Sequence, residues 1–376
     1  MIASAVRWSH RNLFAKPFDA LLSLIVIPLC AWALYSGASW VFHGAQWSII
    51  PESIRVLMVG IYPADQIWRA WGTLLIFGLL FGATLGCVFF LSRGLALGYG
   101  IVVAAIALMA AYRDPASASL VVAACVLALA GWFSTSHWES LRRFLVPAWT
   151  LGLIAVFALL SPPGIGLWGG LMLSVLITMV TAVLSLPIGI LLAFGRRSQL
   201  ASVRMFCTAY IETMRSVPLI LVVYCVWIVL PVLAPQYTVP DVLRGMAGFT
   251  IFFSAYVAEY VRSGLQAVPK GQVEAARSLG MSELDVNRYI VLPQSLRVVV
   301  PALVGNVLDV FNAAPLVFII GLTDFLRAGQ MVLANPQYSD RTYEIYVFLF
   351  VTYFLIGSLI TFAARKLELH LAKGAR

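Results

Sequence analysis

The sequence predicts an all-α, polytopic membrane protein of about ten transmembrane helices, and three observations carry that expectation. First, 61% of the 376 residues are hydrophobic, only 11% are charged, and the mean hydropathy is +0.93. Soluble domains carry about 25% charged residues, so water cannot be the solvent for most of this chain. Second, long stretches hold no Asp, Glu, Lys or Arg: Asp19 to Glu52, Arg69 to Arg93, Arg93 to Arg113, Asp114 to Glu139, Arg143 to Arg196, Arg215 to Asp241 and Glu344 to Arg365. A helix needs about 20 apolar residues to cross the hydrocarbon core, and in lipid a helix satisfies its own backbone groups. Third, the alternating pattern of transmembrane barrel strands is missing.

The first span is placed at 20–42. Its apolar run passes Trp40, which exceeds the 7–15 residues of a signal-peptide core, so it reads as a retained span. The segment from His43 to Trp68 is amphipathic and rich in Trp and Pro, which suits an outer interfacial position. Spans 71–91 and 94–112 flank Arg93. Spans 116–133 and 144–160 are short enough to be tilted or partly re-entrant. The gap from Arg143 to Arg196 holds two spans because Ser161-Pro162-Pro163-Gly164 breaks it. The remaining spans are 170–194, 210–234, 245–262, 298–322 and 345–364. No low-complexity tract or internal repeat is visible.

Charge placement sets the orientation. With ten spans and a cytoplasmic N-terminus, only Arg55, Arg69, Arg113, Arg244, Arg327 and Arg341 of the 25 basic residues fall outside. The other nineteen lie inside, among them Arg7, Arg11, Lys16, Arg142, Arg143, Arg196, Arg197, Arg204, Arg365 and Lys366. This is the positive-inside pattern, and it explains the net charge of +9 without nucleic acid. The five cysteines (Cys30, Cys87, Cys125, Cys207, Cys225) include no CxxC and read as small buried hydrophobes. The four histidines are scattered. Neither set suggests a metal site, and no catalytic constellation is visible.

One segment on the inner side, 263–297, is strongly polar. Pro269 suits a first helical turn, and Glu274, Ala275 and Ala276 favour helix. Gly280 stands where a helix ends in a left-handed residue. Ser282 with Asp285 three residues on is a capping-box pattern. Leu292-Pro293 is expected to end the second helix. The local physics is a compact knob of two short helices.

The spacing Glu274-Ala275-Ala276, three residues, Gly280, nine residues, Ile290, one residue, Leu292-Pro293 resembles the EAA signature of permease subunits in bacterial ATP-binding-cassette (ABC) importers. The flanks are similar to the polar amino-acid uptake permeases of the histidine and glutamine type. They are Tyr210-Ile-Glu212-Thr-Met-Arg215-Ser-Val-Pro218-Leu, Ala255-Tyr256-Val-Ala-Glu259-Tyr260-Val-Arg262, Pro269-Lys-Gly-Gln272 and Pro301-Ala-Leu-Val-Gly305-Asn306. The match covers about residues 170–370. The N-terminal spans and Gly60-Ile-Tyr62-Pro-Ala-Asp65 further resemble the M-type permease of general L-amino-acid importers. The resemblance implies a type I importer permease core at 166–376, with coupling loop 263–297, behind an N-terminal extension at 1–165.

It also implies a mechanism. The knob docks on a cytoplasmic ATP-binding subunit, and ATP-driven closure of the paired ATPases tilts the helices attached to it. Glu274 anchors the docked helix, Gly280 permits the turn, and Arg277 and Arg288 are candidates to meet acidic groups on the ATPase. The implied partners are cytoplasmic ATP-binding subunits, a second permease, a periplasmic amino-acid-binding protein, membrane lipid and an L-amino acid substrate. No Gly-Lys pair occurs in the chain, so it has no GxxxxGK[ST] loop. ATP and Mg then belong to the partner ATPase, and this chain needs no cofactor and is not an enzyme. The implied location is the bacterial inner membrane, with both termini cytoplasmic.

Candidate pathway residues are Asp309, Glu259 and Asn312, since carboxylates at membrane depth face a cavity or a partner charge. Glu259 and Arg262 are spaced to pair on one helix. Where related permeases often carry Lys-Asp-Thr-Ser-Leu, this chain reads Asn312-Ala313-Ala314-Pro315-Leu316, which makes the cavity less charged there. An ABC permease for another solute is the nearest alternative. An ion-coupled secondary transporter would want buried ion ligands and repeats, and a membrane enzyme would want clustered His, Asp or Glu.

Overall fold

The computed structural model describes residue 13 and residues 16–87, 115–233 and 235–373. Among these residues the regular elements are helical, and an isolated bridge joins Gly170 to Asp324. Among the described residues six helices are long and apolar enough to cross a membrane, or seven when one bent pair counts as a single span, so the expected ten are not confirmed. Span 94–112 lies outside the described residues. The expected span 144–160 is a helix of only 16 residues, about 24 Å long. The expected span 245–262 is a longer helix that carries Asp241, Arg244, Glu259 and Arg262.

α1 (Pro17–Ser39) has no buried side chain, so a helix apolar all round meets only lipid or another chain. A π-turn at Trp40–Gly44 leads to α2 (Ile49–Val59), on which Ile49, Ser53 and Leu57 form one buried face. The segment 43–68 therefore packs against the rest of the chain. Ile49 and Leu57 join a core with Phe325, Val332, Ile345 and Leu349. Tyr338 Oη donates to Glu52 Oε2 at 2.7 Å, Arg341 Nη1 to Ser48 Oγ at 3.1 Å, and the Gln46 N–H to Glu344 Oε1 at 3.0 Å. At Gly60 a Cβ would stand 2.7 Å from the Gly169 Cα, so only glycine allows this approach.

α3 (Ile67–Gly86) and α4 (Pro115–His137) pack through glycine. A Cβ on Gly78, Gly82 or Gly86 would come within 2.7, 1.9 or 2.3 Å of the carbonyl oxygens of Ala124, Ala128 and Trp132. This is close small-residue packing of membrane helices. α5 (Leu145–Leu160) ends at a carbonyl, that of Leu160, which accepts from Tyr62 Oη at 3.2 Å and Trp168 Nε1 at 3.0 Å.

α6 (Gly170–Gly195) lays Ser174, Thr178, Thr181 and Ser185 on one buried stripe, and short polar side chains let a neighbouring helix come close. The expected span 210–234 is two elements, α7 (Ala201–Ser216) and α8 (Leu219–Leu233), bent by 114°. The cause is Pro218, which forces Val217 out of the helical region to φ −102°, ψ 140°. α9 (Asp241–Ala267) packs against α6, α7 and α8. α10 (Lys270–Ser278) belongs to the knob. α11 (Leu292–Ala313) continues as a 3₁₀ segment, Ala314–Ile320, once Pro315 removes an N–H. α12 (Phe325–Leu333) and α13 (Thr342–Lys373) complete the described chain.

Candidate functional site

The knob is built from local rules. Pro269 is the N-cap of α10, one residue before the first helical position where the sequence put it. Gly280 closes α10 at φ 81°, with the N–H of Met281 reaching back to Ala276 O at 3.3 Å. Ser282 then caps a helical turn at Glu283–Asp285. Its Oγ accepts from the Asp285 N–H at 3.2 Å and donates to Asp285 Oδ2 at 2.6 Å. Arg277 clamps the turn, with Nε on Glu283 Oε1 at 2.6 Å and Nη2 on Oε2 at 3.1 Å. That guanidinium holds the Glu283 carboxyl below its ordinary value. Arg277 is thus already engaged within its own chain.

The expected break at Leu292-Pro293 does not occur. Val286–Val291 winds as a π-helix that runs directly into α11. The Leu292 N–H bonds to Asn287 O, five residues back. The wider turn lies just ahead of a proline that has no N–H to give, so the chain passes without interruption. Gln294 Nε2 bonds both Gln272 Oε1 at 2.6 Å and Ile290 O at 2.9 Å, tying the two arms at their base.

The signature residues divide by burial. Ala276 is 4% exposed and packs with Val286 and Val291 onto Val261, Leu265 and Val268 at the end of α9. Ile290 and Leu292 are half-buried, while Glu274, Ala275, Gly280 and Pro293 are exposed. At the tip, Leu279, Leu284 and Tyr289 are 83%, 74% and 60% exposed. A solid base therefore supports an apolar tip that its own chain leaves uncovered.

Beside the knob, charges converge on Glu259. Arg262 Nε lies 3.0 Å from both carboxylate oxygens, as the helix spacing suggested. Arg196 Nη1 also reaches Glu259 at 3.5 Å, and Arg215 Nη1 at 3.7 Å. Arg196 Nη2 bonds Glu212 Oε1 at 2.7 Å. This node joins the end of α6 to α7 and α9. Sequence reasoning missed the two distant arginines, since nothing local marks them.

The third feature is an open face. On α11 the exposed or half-exposed positions Val298, Ala302, Gly305, Asp309 and Asn312 recur at intervals of four, three, four and three, one stripe of a helix. Tyr256, Glu259, Tyr260 and Ser263 form the corresponding stripe of α9. Asp309 has no ion-pair partner among the described residues. A carboxylate at the centre of a bilayer-spanning helix costs about 2.5–3.5 kcal/mol if it faces lipid, so this stripe faces something other than lipid. No group of three His, Cys, Asp or Glu able to hold a metal ion occurs among the described residues.

Residues 185–373 match the family of binding-protein-dependent transport system inner membrane components. The chain is 33% identical over 370 residues to the inner membrane amino-acid ABC transporter permease protein YhdY of Escherichia coli (strain K12), covering 93% of this chain and 89% of that one. It is 29% identical over 428 residues to the glutamate/glutamine/aspartate/asparagine transport system permease protein BztC of Rhodobacter capsulatus, covering 99% and 95%. A chain from the crystal structure of an amino acid ABC transporter with histidines aligns at TM-score 0.48 and 27% identity, over 54% of this chain and 92% of that one. This chain belongs to the binding-protein-dependent transport system inner membrane components, as a multi-pass permease subunit of an ABC importer for amino acids whose ATPase is a separate subunit.

Proposed function

We infer that residues 263–297 are the cytoplasmic coupling loop, and that the knob seats on an ATP-binding subunit carrying ATP and Mg. In this reading Glu274, Ala275, Gly280 and Pro293 border the docking face, while Ala276, Ile290 and Leu292 fix the knob to its helices. The open face of α9 and α11, with Glu259, Asp309 and Asn312, is one wall of the amino-acid pathway, and a second permease supplies the other. Both termini are cytoplasmic, and a periplasmic binding protein delivers the substrate. The division into an extension at 1–165 and a permease core at 166–376 belongs to the same reading.

The observation that supports it best is the contrast within the knob. Its base is packed and hydrogen-bonded, whereas Leu279, Leu284 and Tyr289 stand uncovered at the tip. Rigid-body transmission needs a stiff lever with a sticky end, and a rigid apolar anchor in a partner's pocket is where binding energy concentrates. The test is co-purification of the permease with its ATPase after Leu284→Glu. The charge should cost at least tenfold in retained ATPase while membrane insertion of the permease stays normal. Full retention of the ATPase by both Leu284→Glu and Leu279→Glu would refute the docking face.

A further inference from the structure

We propose that Asp309 is the pathway's recognition site for the α-ammonium group of the transported amino acid. This rests on the reading of the α9–α11 face as the pathway wall and adds to it a ligand group.

Asp309 is the midpoint of the span Val298–Ile320, with equal lengths of helix on either side. It lies on the open stripe of α11, and no cation of its own chain answers it among the described residues. An ionisable group at that depth marks a solute path or a partner charge. The space in front of it is free: a Cβ on Gly305, one helical turn away, would meet nothing within 4 Å.

The neighbouring chemistry suits an ammonium. Tyr256 and Tyr260 lie on the open stripe of α9. The Arg215 guanidinium stands 6.0 Å from the Tyr256 ring centroid, and Arg215 is already drawn to Glu259. Along the wall the anion is therefore unanswered at mid-depth, and the arginines gather toward the knob end. A zwitterion in this field places its ammonium at the Asp309 carboxylate and turns its carboxylate toward Arg215. The selective element is the free carboxylate, so the ligand group is one that every amino acid carries.

The experiment uses the whole importer, with its ATPase, second permease and binding protein, in proteoliposomes. Radiolabelled glutamate, glutamine and lysine serve as probes, each tested where the wild type transports it. With Asp309→Asn, uptake of every transported probe should fall at least tenfold further than binding-protein-stimulated ATP hydrolysis, and Asp309→Glu should restore part of it. Uptake and ATP hydrolysis falling in step would overturn the proposal in favour of an assembly or coupling defect. Unchanged uptake would overturn it outright, and a loss confined to lysine would shift recognition to side-chain cations and overturn the α-ammonium assignment. A separate measurement isolates the underlying reading: thiol labelling of Ala302→Cys and Gly305→Cys in a background free of native cysteines. If neither position reacts with a membrane-impermeant reagent, the pathway wall itself is wrong. If they react and Asp309→Asn still transports normally, only the ammonium site fails.

Discussion

Asp324 shows how one residue can be pulled two ways. Its side chain is fully buried at the N-terminus of α12 and accepts from the N–H groups of Leu326 at 2.8 Å and Arg327 at 3.1 Å. Burial nevertheless outweighs those bonds and pushes its carboxyl up to about 6. The groups around it are Arg327 on its own helix, Ser174 of α6, whose Oγ accepts the adjacent Phe325 N–H, and Tyr353 of α13. Because the folded value lies above the ordinary one, the stabilisation is complete below about pH 4 and is lost as pH rises through about 6. The wild type should lose up to about 3 kcal/mol from this group between pH 4 and 8, whereas Asp324→Asn should not. Thermal unfolding of the purified protein at pH 5 and pH 8 reads the difference as a fall in midpoint for the wild type that the variant lacks. Other single residues were legible from short spacings alone: Gly280 at a positive φ, Ser282 capping Asp285, and Arg262 three residues after Glu259. Arg196 and Arg215 were not, because they reach Glu259 from 63 and 44 residues away and only the fold brings them there.

At the scale of elements, the apolar stretches located the helices, but breaks and neighbours set their form. The bend between α7 and α8 is written in Val217-Pro218, which falls inside the expected span 210–234. Pro293 carried the opposite ambiguity: a proline entering a helix tolerates its first turn, and here a π-turn accommodates it. The glycines at 78, 82 and 86 repeat every four residues, the spacing of one helix face, but sequence gives no hint of the partner helix. The structure identifies α4, and it makes the central glycine the tightest contact. Gly82→Ala would bring a Cβ to 1.9 Å from the Ala128 carbonyl oxygen, against backbone that cannot swing aside. The α3–α4 pair must then separate, at about 1–3 kcal/mol or more of overpacking cost. Gly37→Ala in α1, where a Cβ meets nothing within 4 Å, should be neutral or slightly stabilising. Thermal melting of the two variants in detergent, side by side with the wild type, checks both signs.

At the scale of the molecule, the change in sequence texture near residue 165 suggested an added N-terminal unit ahead of a permease core. Motif density marks such a border, but it says nothing about how much surface the two parts share. In the structure they share a great deal. Tyr62, Leu153, Val156 and Leu160 from the N-terminal part lie in one apolar core with Trp168, Leu173 and Leu176. Ile49 and Leu57 of α2, both fully buried, pack with Phe325 and Ile345. Three side-chain or backbone bonds cross the same junction, and one of them satisfies Glu344, which is only 6% exposed. A chain of 166–376 would uncover Phe325 and Ile345 and leave the Glu344 carboxylate without its Gln46 donor. Uncovering two or three such side chains costs at least about 4 kcal/mol where the junction meets water, which is roughly 10 °C in melting temperature for a piece of this size. The truncated chain should therefore insert into membranes but melt at least that far below the full chain, and co-expression of 1–165 should recover most of the loss. A truncated core that melts within a few degrees of the full chain would show that the extension is an appended unit, and that the α2 junction contributes little to holding the permease together.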